Sequence, residues 1–371
     1  MEKQEYMLVA LAHSSGVGRS VLRSARNLGE AVDFSRYSSI QIQEMLRVTP
    51  KIAERIRSEF CLEKAMERVH KWNRSGIEVL TQYHHAYPAL LLEIPDAPEI
   101  LYIIGELEFL HRPCISLVGS RKPTTYGKNI ARQLARELSE RNITVVSGMA
   151  RGIDSEAHRG ALAADGATVA VLGCGVDIIY PAENRALAFE IRKKGVILSE
   201  YPPGTAPLRG FFPERNRIIS GLARGVLVIE AASRSGSLIT ADLALDQGRD
   251  VFATPGSIYS PQSAGCHWLI QQGSKLVQNI HDILSEYPEL ISDTNENTNE
   301  KTRSAPSILT EEEAAVLDII GGEAVSYDKI LCRTAFSTSY LHYLLLSLQV
   351  KQCIMQLPGP SFVRIKNKED V

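Results

Sequence analysis

Three glycine-bearing turns and one short arginine–phenylalanine segment hold most of the chemistry available to this chain. The first turn is Val118-Gly119-Ser120-Arg121-Lys122-Pro123. It follows an apolar run and opens a helical stretch. Gly119 lets the backbone approach a ligand closely. The amides after Ser120 stand at a helix mouth, where the dipole favours an anion, and Arg121 can grip a phosphate with two nitrogens. The second turn, Ser147-Gly148-Met149-Ala150-Arg151-Gly152-Ile153-Asp154, repeats the combination, with Asp154 read as a helix-capping acid. The third runs from Glu230 through Ser233-Arg234 to Ser235-Gly236-Ser237. None is the dinucleotide fingerprint G-x-G-x-x-G, whose later glycines are missing, and no G-K-[ST] makes a P-loop. Three such turns at the ends of parallel strands would converge on one sheet edge and point to an extended anion.

The fourth segment is Pro207-Leu208-Arg209-Gly210-Phe211-Phe212-Pro213-Glu214-Arg215-Asn216-Arg217-Ile218-Ile219. Cations interleaved with rings suit single-stranded nucleic acid: the cations track phosphates and the rings stack on bases. Phe212, fixed beside Pro213, is read as a stacking ring; Phe211 is open between stacking and the core. Arg215 is open between the nucleic-acid site and a pairing with Glu214 or Glu230. Glu230 stands where a catalytic acid could stand, and is read as a partner for Arg215 or Arg217. No Ser/His/Asp or Cys/His arrangement presents itself. His158 reads as structural or close to nucleic acid, and His267, beside Trp268, as packing. The chain is expected not to be an enzyme and to need no cofactor or metal.

The elements that must position these residues come from the apolar pattern. Short apolar runs at Cys114–Val118, Ile143–Ser147, Thr168–Leu172, Val196–Leu198, Val226–Ile229 and Val251–Ala253 suit strands buried on both faces of a parallel sheet. Helical spacing covers Tyr126–Arg141, Asp154–Ala164, Glu183–Lys194, Glu214–Ala223 and Ser237–Gln247. The alternation predicts a doubly wound α/β fold with a mainly parallel sheet. Residues 1–75 read as short helices. Turns at Ser15–Arg19 and Val48–Ile52 leave open a helix-hairpin-helix-like (SAM-like) unit or a plain small bundle. Residues 76–290 form the α/β domain and 291–307 a polar linker. Residues 308–371 read as a winged helix of three helices and a hairpin, the turn being Pro358-Gly359-Pro360. Its third helix offers only His342 as a potential cation, which favours protein contact or weak DNA contact over base reading.

Composition sets the bounds. With 371 residues and 44% apolar content, two or three domains are expected. The formal net charge is −2, so nucleic-acid binding must rest on a local basic patch. The six cysteines, Cys61, Cys114, Cys174, Cys266, Cys332 and Cys353, form no C-x-x-C pair and read as reduced thiols. The N-terminus lacks a signal-peptide pattern, and no apolar run approaches the roughly 20 residues that span a bilayer. No membrane role is expected, and the chain is read as cytoplasmic.

Taken together, Gly119-Ser120-Arg121, the Ser147–Asp154 turn, Gly173-Cys174-Gly175-Val176-Asp177, Tyr180-Pro181, the Phe212–Ile219 segment, Ser235-Gly236-Ser237 and Thr254-Pro255-Gly256 resemble the DNA-processing protein A (DprA/Smf) family. The resemblance covers nearly the whole α/β region in order. It implies an extended Rossmann-like domain that binds single-stranded DNA without sequence preference. It also implies protection of incoming DNA and loading of RecA recombinase in natural transformation. The family's phosphate site falls on Gly119, Ser120 and Arg121, with Lys122 beside it. Its basic DNA contact falls on Arg209 and its base-contacting ring on Phe212. Gly148, Met149, Ala150, Arg151, Arg215, Asn216, Arg217, Ser235, Gly236 and Ser237 complete the expected site. The family's homodimer contact falls on about Gly265 to Lys275, where His267, Trp268, Leu269 and Ile270 are the candidates. The alternative is a nucleotide-binding enzyme of the lysine-decarboxylase-like phosphoribohydrolase type. Against it, Ser233–Leu238 lacks that group's double glycine.

Overall fold

The apolar runs form the centre of a nine-stranded sheet. The computed structural model describes residues 1–292, 310–320, 325–334, 336–350, 353–357 and 361–364. The chain divides into two units, Met1–Thr294 and Asn295–Val371. The strands of the first are β1 (Glu78–Thr81), β2 (Ile100–Gly105), β3 (Cys114–Val118), β4 (Thr144–Ser147), β5 (Thr168–Leu172), β6 (Val196–Ser199), β7 (Gly225–Val228), β8 (Asp250–Ala253) and β9 (Lys275–Leu276). Their order is β1-β2-β6-β5-β4-β3-β7-β8-β9. β3 to β9 run parallel, β2 is antiparallel to β6, and β1 is antiparallel to β2. Every residue of β3 to β7 is buried, which is why these runs read as unbroken apolar stretches. From β3 the chain winds outward to β6, then returns to β7 and winds the other way. The topological switch therefore lies between β3 and β7.

The helices α1 (Lys3–Ala12), α2 (Arg19–Arg26), α3 (Ser39–Leu46), α4 (Pro50–Glu59) and α5 (Leu62–Arg74) precede the sheet. They share its core rather than forming one of their own. Met7, Leu11, Phe34 and Ile56 belong to the same buried cluster as Tyr102, Ala170 and Leu172. Trp72 of α5 meets Tyr102 of β2 edge-on, ring centroids 5.3 Å apart. Arg19 and Arg23 of α2 bind Asp96 at 2.6 and 2.5 Å, and Arg26 binds Glu99 at 2.8 Å.

Around the sheet lie α6 (Ala89–Leu92), α7 (Thr125–Ser139), α8 (Ile153–Ala163), α9 (Arg185–Lys194), α10 (Phe211–Gly221), α11 (Gly236–Asp246), α12 (Ala264–Gln271), α13 (Ile280–Leu284) and α14 (Pro288–Ser292). α10 starts three residues ahead of the expected Glu214. Pro213 sits in its first turn, where a missing N–H costs nothing.

The second unit is a winged helix: α15 (Glu311–Ile319), β10 (Val325–Ser326), α16 (Tyr327–Arg333), α17 (Thr338–Val350), β11 (Ile354–Leu357) and β12 (Ser361–Arg364), with strand order β10-β12-β11. Val316, Ile330, Leu341, Leu348 and Ile354 are among its core residues. Residues 293–307 of the expected linker, the Pro358-Gly359-Pro360 turn and Ile365 of the expected last strand lie outside the described residues. No described helix is long and apolar enough to cross a membrane.

His158 of α8 is fully buried, with Nδ1 2.7 Å from Thr168 Oγ1. Because that hydroxyl donates to the Val145 carbonyl, the ring is the donor and carries its proton on Nδ1. Burial, aided by Arg215 and Arg159, lowers its pKa to about 3. An unfolded chain takes up this proton near pH 6.5. Stability from the neutral ring is therefore whole above about pH 6.5 and is lost below it, by up to ~1.4 kcal/mol per pH unit. Urea unfolding between pH 7 and 4 should show a steeper loss for the wild type than for His158→Asn. Parallel curves would mean that this ring does not govern acid stability.

Candidate functional site

The turns after β3, β4 and β7 are stitched together at the switch. Ser120 N–H donates to the Glu230 carbonyl at 2.6 Å, and Ile153 N–H to the Ser120 carbonyl at 3.1 Å. Gly152, at φ +80°, makes the second contact possible: a Cβ there would lie 2.8 Å from the Arg121 carbonyl carbon. These turns open on a cleft of about 450 Å³. Gly119, Ser120, Arg121 and Ala150 line it from two turns, Phe212, Pro213 and Asn216 from α10, and Arg234 to Ser237 from the start of α11. Ser235 caps α11 by accepting from Ser237 N–H. Asn216 Nδ2 lies 3.5 Å from the Gly236 carbonyl and closes the gap between the two helices.

Arg121, Lys122, Arg209 and Arg234 are exposed, and none has a hydrogen-bond or salt-bridge partner for its side chain among the described residues. Phe212 is half-buried and tilted against Tyr180 at 5.4 Å between centroids. A Cβ on Gly173 would come within 3.1 Å of its ring. Phe211 neither enters the core nor faces the cleft; it stacks on Tyr201 at 4.0 Å and 21°.

Several expected site residues lie elsewhere. Arg215 is only 4% exposed. Its Nη1 donates to the Val171 carbonyl at 2.6 Å, and a Cβ on Gly148 would lie 2.7 Å from its Cζ. Burial lowers its pKa to about 10, with Asp154 opposing. Burial likewise raises the pKa of Asp154, opposed by Arg215 and by the Ala150 amide at 3.2 Å. The cleft includes Arg215 and Asp154 in its wall, but the guanidinium is engaged inward. Arg217, 5% exposed, is bound to Glu200 at 2.6 Å and Asp96 at 3.1 Å. Both arginines are corrected from nucleic-acid contacts to internal groups. Neither pairs with Glu230, whose two carboxylate oxygens accept from the Thr124 amide at 2.8 Å and hydroxyl at 2.6 Å. Arg151 is exposed but bound to Glu183 at 2.5 Å, and does not line the cleft. Met149 has a fully buried side chain and φ +58°, so only backbone is on offer, and its carbonyl already accepts from Asn184 Nδ2 at 2.8 Å. Gly148 is buried under the same turn. Of the dimer candidates, Leu269 is corrected to core at 1% exposure, while Trp268 is 46% exposed. Ile270 packs partly on the core, and His267 Nε2 lies 3.1 Å from the Gly256 carbonyl.

The cleft also uses residues absent from the expectation. Arg234 is reachable by the reasoning applied to Arg121, since it heads the third turn. Gln262 lines the cleft and accepts from Ser120 Oγ at 3.2 Å, yet nothing in its sequence surroundings marks it.

The family model for DNA recombination-mediator protein A matches residues 78–288. The chain belongs to the DprA/Smf family of DNA processing proteins. The family's winged helix domain matches residues 300–360. DNA processing protein DprA of Streptococcus pneumoniae is 49% identical over 201 residues, 54% of this chain and 71% of that protein. Protein Smf of Escherichia coli is 40% identical over 284 residues, 76% of this chain and 75% of its own length. The X-ray structure of DprA from Streptococcus pneumoniae superposes with a TM-score of 0.67 at 36% identity, covering 77% of this chain and 98% of that one. DNA processing protein A from Helicobacter pylori, whose structure was described for its single-stranded DNA binding mode, gives 0.53 at 32% identity, covering 58% and 96%.

The two classes of arginine should separate in mutants. Arg217→Met leaves Glu200 buried without its counter-charge and should cost about 3 kcal/mol of stability. Arg121→Ala, at the surface, should stay within about 0.5 kcal/mol of wild type. Denaturant midpoints decide; equal losses would contradict the assignment of Arg217 to the interior.

Proposed function

We propose that this chain binds single-stranded DNA across the carboxyl rim of its parallel strands, without sequence preference, and in doing so protects incoming strands and hands them to RecA recombinase. One observation carries the reading: unpaired Arg121 and Arg234, the open start of α11 and the Phe212 ring line one cleft at the switch point. Arg209 and Lys122 stand exposed in the flanking segments. Cations there hold phosphates, the α11 amide at Gly236 adds anion affinity, and Phe212 stacks on a base. The single-stranded DNA binding described for the Helicobacter pylori relative supports the reading. In it Gly119 and Ala150 serve as close-approach backbone, and Arg151 tracks phosphate once it releases Glu183. No bond is broken in this role, consistent with Glu230 being held by Thr124. The chain acts as a homodimer in this reading. Trp268 and Leu245, both exposed, share a depression beside the edge strand β9 and offer the apolar contact.

Fluorescence anisotropy with an oligothymidylate tests the cleft. Changing Arg121 and Arg209 together to Ala should weaken binding strongly. It should also flatten the slope of log affinity against log salt by about 1.4, since each phosphate contact on a single strand contributes about 0.7. Phe212→Ala should weaken binding about tenfold with the slope unchanged, because a ring releases no counterion. Wild-type affinity in the double mutant would defeat the proposal.

A further inference from the structure

Next to the cleft, across the Gly119–Pro123 turn, lies a second depression of about 540 Å³. Thr124 and Tyr126 at the start of α7 form one wall, Pro255, Ser257 and Ser260 of the loop between β8 and α12 form the other, and Glu230 lies at its floor. That loop is tightly held. Tyr126 OH donates to the Pro255 carbonyl at 2.9 Å, and His267 Nε2 lies 3.1 Å from the Gly256 carbonyl. Tyr259 N–H donates to Ser257 Oγ at 3.3 Å, and Ser260 N–H to the Ser257 carbonyl at 3.0 Å. Gln262 closes the loop onto the cleft, its carbonyl accepting from Ala231 N–H at 2.7 Å and its side chain from Ser120 Oγ at 3.2 Å.

At the tip of this ordered loop, Ile258 is 80% and Tyr259 90% exposed. They are the two most exposed large apolar side chains among the described residues. Folding gains nothing from them, since they bury almost no surface. Side by side on a hydrogen-bonded loop, they present one contiguous apolar surface that a partner can cover. The surroundings select the occupant. The depression lies on the same carboxyl rim as the cleft, divided from it by the Ser120–Gln262 hydrogen bond, and its only carboxylate is already spoken for by Thr124. Its wall carries a ring fixed by a hydrogen bond, together with serine hydroxyls that can donate or accept.

We propose that this depression is a second nucleobase subsite, in which a base of the strand lying in the cleft rests against Tyr126 and stacks on Tyr259. The inference rests on the reading of the cleft as a single-strand path. A ring fixed beforehand, as Tyr126 is by its hydroxyl, loses little entropy on contact, and the hydroxyls of Ser257 and Ser260 offer both donors and acceptors to a base edge. The subsite thus lengthens the bound strand without adding sequence preference. It also takes no phosphate, because no cation lines it.

The test uses the full-length protein, a thymidine tetranucleotide, a long oligothymidylate and the same long strand carrying 5-iodouracil. Tyr259→Ala should keep the wild-type thermal midpoint and tetranucleotide affinity, lose about tenfold on the long strand, and leave the salt slope unchanged. Tyr259→Trp should restore the affinity, and its added indole fluorescence should be quenched on binding. Photocrosslinking of wild type should attach 5-iodouracil to the peptide bearing Tyr259. Unchanged long-strand affinity in Tyr259→Ala, with no crosslink there, would overturn the subsite and leave the cleft reading intact. A change in sedimenting mass with DNA affinity unchanged would overturn it too, by assigning the tip to self-association. Failure of the wild type to bind either strand would remove the cleft reading itself.

Discussion

The guanidinium of Arg215 passes beneath Gly148 and ends on the carbonyl of Val171. This contact fastens α10 to the ends of β4 and β5, and the cleft depends on it. Phe212 lies three residues earlier and so shares that side of the helix; Asn216 follows and reaches the start of α11. Gly148 is obligatory because a methyl group would displace the guanidinium. Asp154 supplies the compensating charge that a buried cation requires. Two residues on, Arg217 ties the same helix to Glu200 and Asp96. Asp96 in turn receives Arg19 and Arg23 of α2, and Arg19 also reaches Glu214 of α10 at 3.0 Å. The helices before the sheet are thereby part of the frame that holds α10.

Much of this architecture is legible in the residue pattern, for identifiable reasons. β3 to β8 announce themselves because strands buried on two faces must be continuously apolar. β1 does not, because its four residues begin on exposed Glu78 at the sheet margin; β2, with its apolar Ile100–Ile104, carries the same signal although it is absent from the runs named above. β9 is two residues long, below any periodic signal. The three turns are legible because glycine and arginine at strand ends have few other uses. The interior role of Arg215 is harder to read, since residue type says nothing of direction. A clue exists all the same: Arg215, Ile218, Ile219 and Leu222 recur at helical spacing and are all buried. Leu269 fails as a surface residue for the same reason, lying with Cys266 on the core face of α12. Gln262 is legible only in three dimensions, because its importance comes from the distant Ser120.

Charge follows the same division. The net charge of −2 conceals a segregation in which many arginines are spent on carboxylates. Arg151, Arg217, Arg224 and Arg249 all sit in ion pairs, while Arg121, Arg209 and Arg234 are left over near one rim. A global count is blind to this, because it weighs a neutralised guanidinium and an open one alike. The winged helix shows the converse: α17 has neither Arg nor Lys, and it exposes Tyr340, Tyr343 and Leu346.

The reversal of winding between β3 and β7 brings Gly119, Ala150, Phe212 and Gly236 to one opening although they are far apart along the chain. No contiguous peptide holds the opening, and no local motif can be transplanted with it intact. During synthesis it comes into being only when β7 slots in beside β3, after everything from β4 to α10 has been made. A chain interrupted before that moment would own every motif but the last and still offer a polynucleotide nowhere to lie.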